Sequence, residues 1–227
     1  PAAYTDTWLP MLFLAVLSGG IWASLLLRFG GTPSWQQTRV RLLIPALLLG
    51  ALSAHLTILM IIFQEDALGL TRGEGLIGGL LYCIAAKALR EEFLKLLCFA
   101  VLLPFLLKRK DELEILLIAG LVGLGFAIEE NINYFQSAGG MAVFSRFVTA
   151  NFLHISLTAL AGLTLARAFI HRGAAINQAV STFGLVVIAH GVYNSFLMVP
   201  ELMQYSLFSG TVLILTGYQF FGWLSHL

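Results

Sequence analysis

Seven long apolar runs set the terms for this chain, at about 8–28, 41–63, 76–107, 113–136, 144–170, 176–199 and 203–224. A helix needs about 20 residues to cross the hydrocarbon core of a bilayer. There, every backbone N–H and C=O must find a partner within the protein, which leaves helices and closed barrels. A barrel shows short alternating segments, whereas these runs are long and unbroken. The fold class is therefore an all-α polytopic membrane protein with about seven transmembrane helices, read as a single domain over 1–227. Charged residues make up 11% of the chain, against roughly 25% in a soluble domain. The third run is too long for one straight crossing, so it is either steeply tilted or broken near Lys87–Arg90.

Loop chemistry supports the same division. Gly30, Gly31 and Pro33, then Gly69 and Gly73, Gly139 and Gly140, Gly173 and Pro200 mark the links. No basic stretch precedes the first run at Trp8, so no cleavable signal peptide is expected. Cys83 and Cys98 share one apolar segment without CxxC spacing and read as buried thiols. A formal net charge of +1 and the lack of a basic patch with interleaved aromatics exclude a nucleic-acid partner. Arg28, Arg39, Arg41, Lys108, Arg109, Lys110, Arg167 and Arg172 fall on one side of the span map, with Arg72 and Arg146 on the other. The basic side is expected to be cytoplasmic, with the N-terminus outside and the C-terminus inside.

Inside these runs sit Glu91, Glu92, Glu129, Glu130, His154 and His190. An ionisable group in hydrocarbon is costly, so such residues normally face a polar interior and mark function. Counted from the cytoplasmic ends of their spans, Glu92, Glu130, His154 and His190 fall at roughly 21–26 Å depth, one slab in the outer half of the membrane. Each helix adds a companion one turn on: Lys95 after Glu91, Tyr134 after Glu130, Thr158 after His154 and Asn194 after His190.

The same residues form four ordered boxes. Glu91-Glu92-Phe93-Leu94-Lys95 is an EExxK box, and Gly125 to Tyr134 is a GFxxxENxxY-like segment. Arg146 follows, then His154 with Thr158 and Gly162, then His190-Gly191-Val192-Tyr193-Asn194. Together they resemble the PrsW family of bacterial intramembrane proteases, relatives of the CAAX prenyl endopeptidases. The boxes cover about 91–194 within a motif-bearing core of about 76–199. The second box departs from the CAAX relatives, with FxxxE (Phe126 to Glu130) where they have FxxxH. This resemblance implies hydrolysis of a membrane-anchored protein within or near the bilayer. The implied substrate is an anti-sigma factor cut at an extracytoplasmic site, in a bacterial cytoplasmic membrane.

Peptide hydrolysis needs an activated water, oxyanion stabilisation and an acid for the leaving amine. Two chemistries fit. In one, Glu92, Glu130, His154 and His190 supply the ligands of a divalent metal, zinc above all, because two histidines and a carboxylate leave a position open for water. In the other, a buried glutamate is the base without a metal, and His190 and Asn194 donate to the oxyanion, as the CAAX resemblance suggests. The metal reading is preferred because several acids and two histidines at one depth would otherwise leave much charge uncompensated. Neighbouring residues on a helix point about 100° apart. Glu91 is thus expected to be the base beside Lys95, and Glu92 a ligand or its supporting partner, an assignment that can be reversed. Asn131 and Tyr134 are expected to orient Glu130 or contact substrate. His55 matches no box, and Lys87 and Arg90 are read as snorkelling or pairing with Glu91. A proton- or ion-coupled transporter is the alternative, but the chain lacks the two related halves common in transporters.

Overall fold

The computed structural model describes residues 8–28, 33–69, 71, 73–137 and 141–227, so the expected roles of Gly30, Gly31, Arg72, Gly139 and Gly140 lie outside the described residues. Helix α1 (Trp8–Arg28) is followed by α2 (Pro33–Ile62), which runs into a π-helical stretch at Phe63–Ala67. A composite rod comes next: α3 (Gly75–Leu81), a π-helical stretch (Tyr82–Ala88), α4 (Leu89–Ala100) and a short α5 (Leu103–Leu106). The long helices α6 (Glu112–Ser137), α7 (Met141–His171) and α8 (Ala174–Met198) lead to a one-turn α9 (Pro200–Met203) and to α10 (Ser209–His226).

Among the described residues, six helices are long and apolar enough to cross a membrane: Leu9–Arg28, Arg41–Ala67, Glu112–Tyr134, Ser145–His171, Ala174–Met198 and Ser206–His226. The third apolar run is not among them, because Lys87, Arg90, Glu91, Glu92 and Lys95 crowd into its middle. That rod is not broken at Lys87–Arg90. It widens into π turns over Tyr82–Ala88 and resumes α-helical bonding at Leu89. The interruption falls later, at Val101 and Leu102, just before Pro104, whose ring removes one helix donor and crowds the preceding turn.

Helices α6 and α7 form the centre of the bundle. Their spans are largely buried, whereas α1, α2, α8 and α10 expose most of theirs. The core joins Leu116, Ile118, Leu121, Val122 and Leu124 of α6 to Ile155, Ala159 and Leu163 of α7 and Phe99 of α4. Close approach is made possible by glycine. A Cβ on Gly125 would lie 2.1 Å from the carbonyl oxygen of Leu47, and one on Gly50 2.1 Å from that of Val122. On the opposite face of α6, a Cβ on Gly123 would meet the carbonyl oxygen of His154 at 2.2 Å. Small residues at such crossings let membrane helices pack backbone to backbone. Here they draw α2 and α7 against the segment of α6 that leads into Glu130. At one end of the bundle, Arg167 grips Glu112 through Nε (2.9 Å) and Nη2 (2.5 Å) and lies over Trp223. This ties together the start of α6 and the ends of α7 and α10. Cys83 and Cys98 are both free and buried.

Gly125→Val is expected to lower the thermal unfolding midpoint in detergent by several degrees, since overpacking costs about 1–3 kcal/mol. Gly184→Ala, with nothing within 4 Å of the new methyl group, leaves the midpoint unchanged. Equal midpoints for the two variants would refute the backbone contact.

Candidate functional site

Four helices bring Glu91, Glu92, Lys95, Glu130, His154, His190 and Asn194 into the bundle interior. The composite rod carries the first three on α4, and α6, α7 and α8 carry the others in turn. The imidazole rings of His154 and His190 stand edge to face, with centroids 5.1 Å apart. Glu91, His154 and His190 each offer a ligand atom within 4.8 Å of the other two, and all three are buried.

Proton positions follow from which partners can only donate. Lys95 is fully buried, and its ammonium donates to Glu92 Oε1 at 2.5 Å. The same carboxylate oxygen lies 2.5 Å from His190 Nδ1, so His190 carries its proton there. The Nε2 lone pair of His190 then faces Glu91 Oε2 across 3.5 Å. Glu91 Oε2 has no hydrogen-bond donor among the described residues. Two acceptors facing each other call for a proton or a cation between them. A histidine held by a carboxylate at one nitrogen and presenting the other is the usual support of a metal ligand. His154 is held differently: Lys95 Nζ lies 3.0 Å from its Nδ1, and its Nε2 lies 3.1 Å from Glu130 Oε2. An ammonium can only donate, so in this arrangement His154 accepts at Nδ1 and donates at Nε2. It can join Glu91 and His190 as a ligand once Lys95 turns wholly to Glu92. The donor set therefore fits a divalent cation.

Every carboxylate of the cluster has its own cation. Glu91 Oε1 pairs with Lys87 at 2.5 Å, Glu92 with Lys95, and Glu130 Oε2 with Arg146 Nη2 at 2.8 Å. Lys87 also reaches Glu130 Oε1 at 3.6 Å. The expectation of uncompensated charge is thus overturned. What calls for a cation is the facing acceptors of Glu91 and His190. The expected ligand set also shifts, because Glu91 rather than Glu92 or Glu130 groups with the two imidazoles. Glu91 does not share Lys95 as the one-turn spacing suggested. Residues three and four apart are both neighbours on a helix, and Lys95 takes Glu92, turning inward to reach His154 as well.

The cluster is sealed on one side and open on the other. The side chains of Glu91, Glu92, His154 and His190 are at most 3% exposed, whereas Lys87 is 13% and Glu130 and Arg146 are 16% exposed. Asn194, one turn after His190, has an Nδ2 without a partner among the described residues, a buried donor ready for an acceptor. Asn131 and Tyr134 both meet Arg146, the cation paired with Glu130. Asn131 accepts from Arg146 Nε at 3.0 Å, and the Arg146 guanidinium lies 3.7 Å from the Tyr134 ring centroid. Glu129 turns away from the cluster to His55, 3.5 Å from its Nε2. Arg90 bonds to Gln64 rather than Glu91. The expected pairing of Lys87 with Glu91 is present, and Arg146, a member of the ordered boxes with no role assigned from sequence, is the partner of Glu130. Both had a signal: Lys87 is one turn before Glu91, and Arg146 is eight residues before His154, so each shares a helix face with its acid or imidazole.

A family model described as PrsW family intramembrane metalloprotease matches residues 38–222 of the chain. Neither a curated protein nor a solved structure matches it.

Proposed function

The chain belongs to the PrsW family of intramembrane metalloproteases, and from that premise we propose that the Glu/His cluster cuts a single-pass membrane-anchored protein on the extracytoplasmic side of the bilayer. The chain is a multi-pass membrane protein and an intramembrane protease. The proposed substrate class is the anti-sigma factor, in a bacterial cytoplasmic membrane, with the N-terminus outside and the C-terminus inside. Family membership disfavours the transporter reading. The observation that carries the catalytic assignment is the buried facing pair of Glu91 Oε2 and His190 Nε2, with no hydrogen-bond donor to Glu91 Oε2 among the described residues.

Glu91, His190 and His154 are the proposed holders of a divalent cation, with zinc suited to two imidazoles and one carboxylate. A cation there supplies Lewis-acid activation of water and of the scissile carbonyl. Glu92, gripped by Lys95, fixes the tautomer of His190 and points its free nitrogen into the site. Glu130 is the proposed general base, in place of the expected Glu91. Its carboxylate is the one on the open edge, within 3.1 Å of His154, where it can take a proton from water and pass it to the leaving amine. Arg146 pairs with that carboxylate and aims it. Asn194 Nδ2 is the proposed donor to the carbonyl oxygen as negative charge develops there, the usual work of an oxyanion donor.

The test compares membrane proteomes of cells producing equal amounts of the wild-type chain or a variant, scoring new protein termini. Wild type is expected to generate termini within or beside single membrane spans. Glu91→Gln, Glu130→Gln and His190→Ala each remove them, by at least about a hundredfold, the loss expected when a proton carrier or electrostatic partner is deleted. Glu201→Gln, on the exposed α9, keeps them. Full activity in Glu130→Gln would reject the four-helix site.

Elemental analysis of purified protein is expected to give about one zinc per chain, lost in His190→Ala. Glu92→Gln should retain the site but weaken zinc about 10–100-fold, as loss of a supporting carboxylate does. Zinc binding unaffected by either change would remove the cation from this cluster.

A further inference from the structure

The polar groups of the site do not end at Glu130. A chain of hydrogen bonds leaves it through Arg146 and finishes on α1, a helix outside the residues the family model matches. Arg146 donates through Nη2 to Glu130 and through Nε to Asn131 Oδ1. Asn131 Nδ2 donates to Asn151 Oδ1 at 2.8 Å, and Asn151 Nδ2 donates to Ser18 Oγ. Ser18 and Asn151 are fully buried, and Asn131 is nearly so. A buried amide left unbonded is costly, and each amide here is oriented by its neighbour. Flipping Asn131 would set its amide nitrogen against Arg146 Nε, donor to donor, and its oxygen against Asn151 Oδ1, acceptor to acceptor.

Two further contacts fix α1 to the same region. Trp22 Nε1 donates to the carbonyl oxygen of Phe147 at 2.9 Å, on the residue following Arg146. Gly19 lets α1 lie directly on α6, where a Cβ would meet Ile128 Cδ1 at 2.2 Å, two residues before Glu130. Helix α1 therefore touches both helices that carry the Arg146–Glu130 pair, at points beside each partner.

We propose that α1 is a brace for the reaction centre, with Ser18 and Trp22 as positioning residues. They set Arg146, and through it hold Glu130 against His154. The inference rests on the reading that Glu130 takes part in hydrolysis. A helix that contributed packing alone would lose activity independently of Arg146. A brace acts through Arg146, so its loss is felt only while Arg146 is present.

The experiment is a double-mutant cycle on the full chain. Ser18→Ala and Trp22→Phe each remove one hydrogen bond without adding volume. Cleavage rates are measured on the products found in the proteome comparison, at matched amounts of folded protein. Each change is expected to slow cleavage on the order of tenfold, the low end for loss of a supporting partner. Added to Arg146→Lys, Ser18→Ala is expected to slow it no further, because residues acting in one network are non-additive. Ser24→Ala, whose hydroxyl bonds only to the backbone of Gly20 on an exposed face of α1, leaves the rate unchanged. Wild-type rates in Ser18→Ala and Trp22→Phe, or losses that simply multiply with that of Arg146→Lys, would overturn the brace. Zinc affinity, read by competition with a chelating dye, gives the same cycle without catalysis, since Glu130 contacts His154. If the wild type cleaves nothing, the proposed function fails, and the zinc cycle alone decides on the brace.

Discussion

Lys95 is the group on which this arrangement depends. It is fully buried in a bundle of apolar helices, where an unpaired ammonium would be prohibitively costly. Its two contacts, Glu92 and His154, are what make its position tolerable, and they in turn define the site. Through Glu92, Lys95 sets the proton of His190; through Nδ1 it sets that of His154. One cation thus dictates the tautomers of two imidazoles on two different helices. Removing one partner of such a buried pair typically costs about 3–5 kcal/mol, so Lys95 links stability to chemistry. It is held further by the ring of Phe126, 4.7 Å away, a residue of the same helix as Glu130.

Such a cluster requires helices that stay in register, and the glycines of α6 supply that. Gly123 and Gly125 sit on opposite faces and bring α7 and α2 to backbone contact within two turns before Glu130. Close crossings fix relative height as well as distance, because each backbone fits past the other at one level only. The height of His154 relative to Glu130 is therefore set by the Gly123 crossing, at the carbonyl of His154 itself. The π-helical stretch at Tyr82–Ala88 does a comparable job on the rod. A wide turn shifts the facing of the residues that flank it, and such turns are frequent at functional sites. It ends one residue after Lys87, which points at Glu91.

Much of this was legible in the sequence. Apolar run length announced the helices, and box order announced which of them share a centre. What periodicity could not supply was the partner of each charge. The spacing of Glu91 and Lys95 suits a pair, yet Lys95 pairs with Glu92, since neighbours at three and four residues are nearly equivalent on a helix. The choice was made by His154, from 59 residues away in the chain. Arg146 shows in the sequence as a charge near a span end and a member of the ordered boxes on the His154 face of its helix, but its partners Glu130 and Asn131 lie on another helix that this spacing does not name. Ser18 and Asn151 carried no signal at all, being ordinary polar residues in apolar spans. Glu129 and Glu130 are adjacent acids, and only the bundle shows that one enters the site and the other faces His55.

The split between sealed and open groups bears on how a membrane protein can be cut here. A substrate helix keeps its amides bonded to itself, and in hydrocarbon it has strong reason to do so. Hydrolysis needs a free carbonyl, so the helix must unwind where it meets the site, and the released backbone groups need partners. The open edge offers them: the Lys87 ammonium and the Arg146 guanidinium for carbonyls, the Glu130 carboxylate for amides, with the unpartnered Asn194 amide deeper in. On the sealed side the donors are already taken, with Lys95 on Glu92 and His154 and His190 Nδ1 on Glu92. The ion pairs at the edge therefore have a second use beyond neutralising charge. On the proposed reading, Lys87 is the group that turns from Glu91 and Glu130 to an unwound segment of substrate, while the Arg146–Glu130 pair and the buried set behind it keep their geometry.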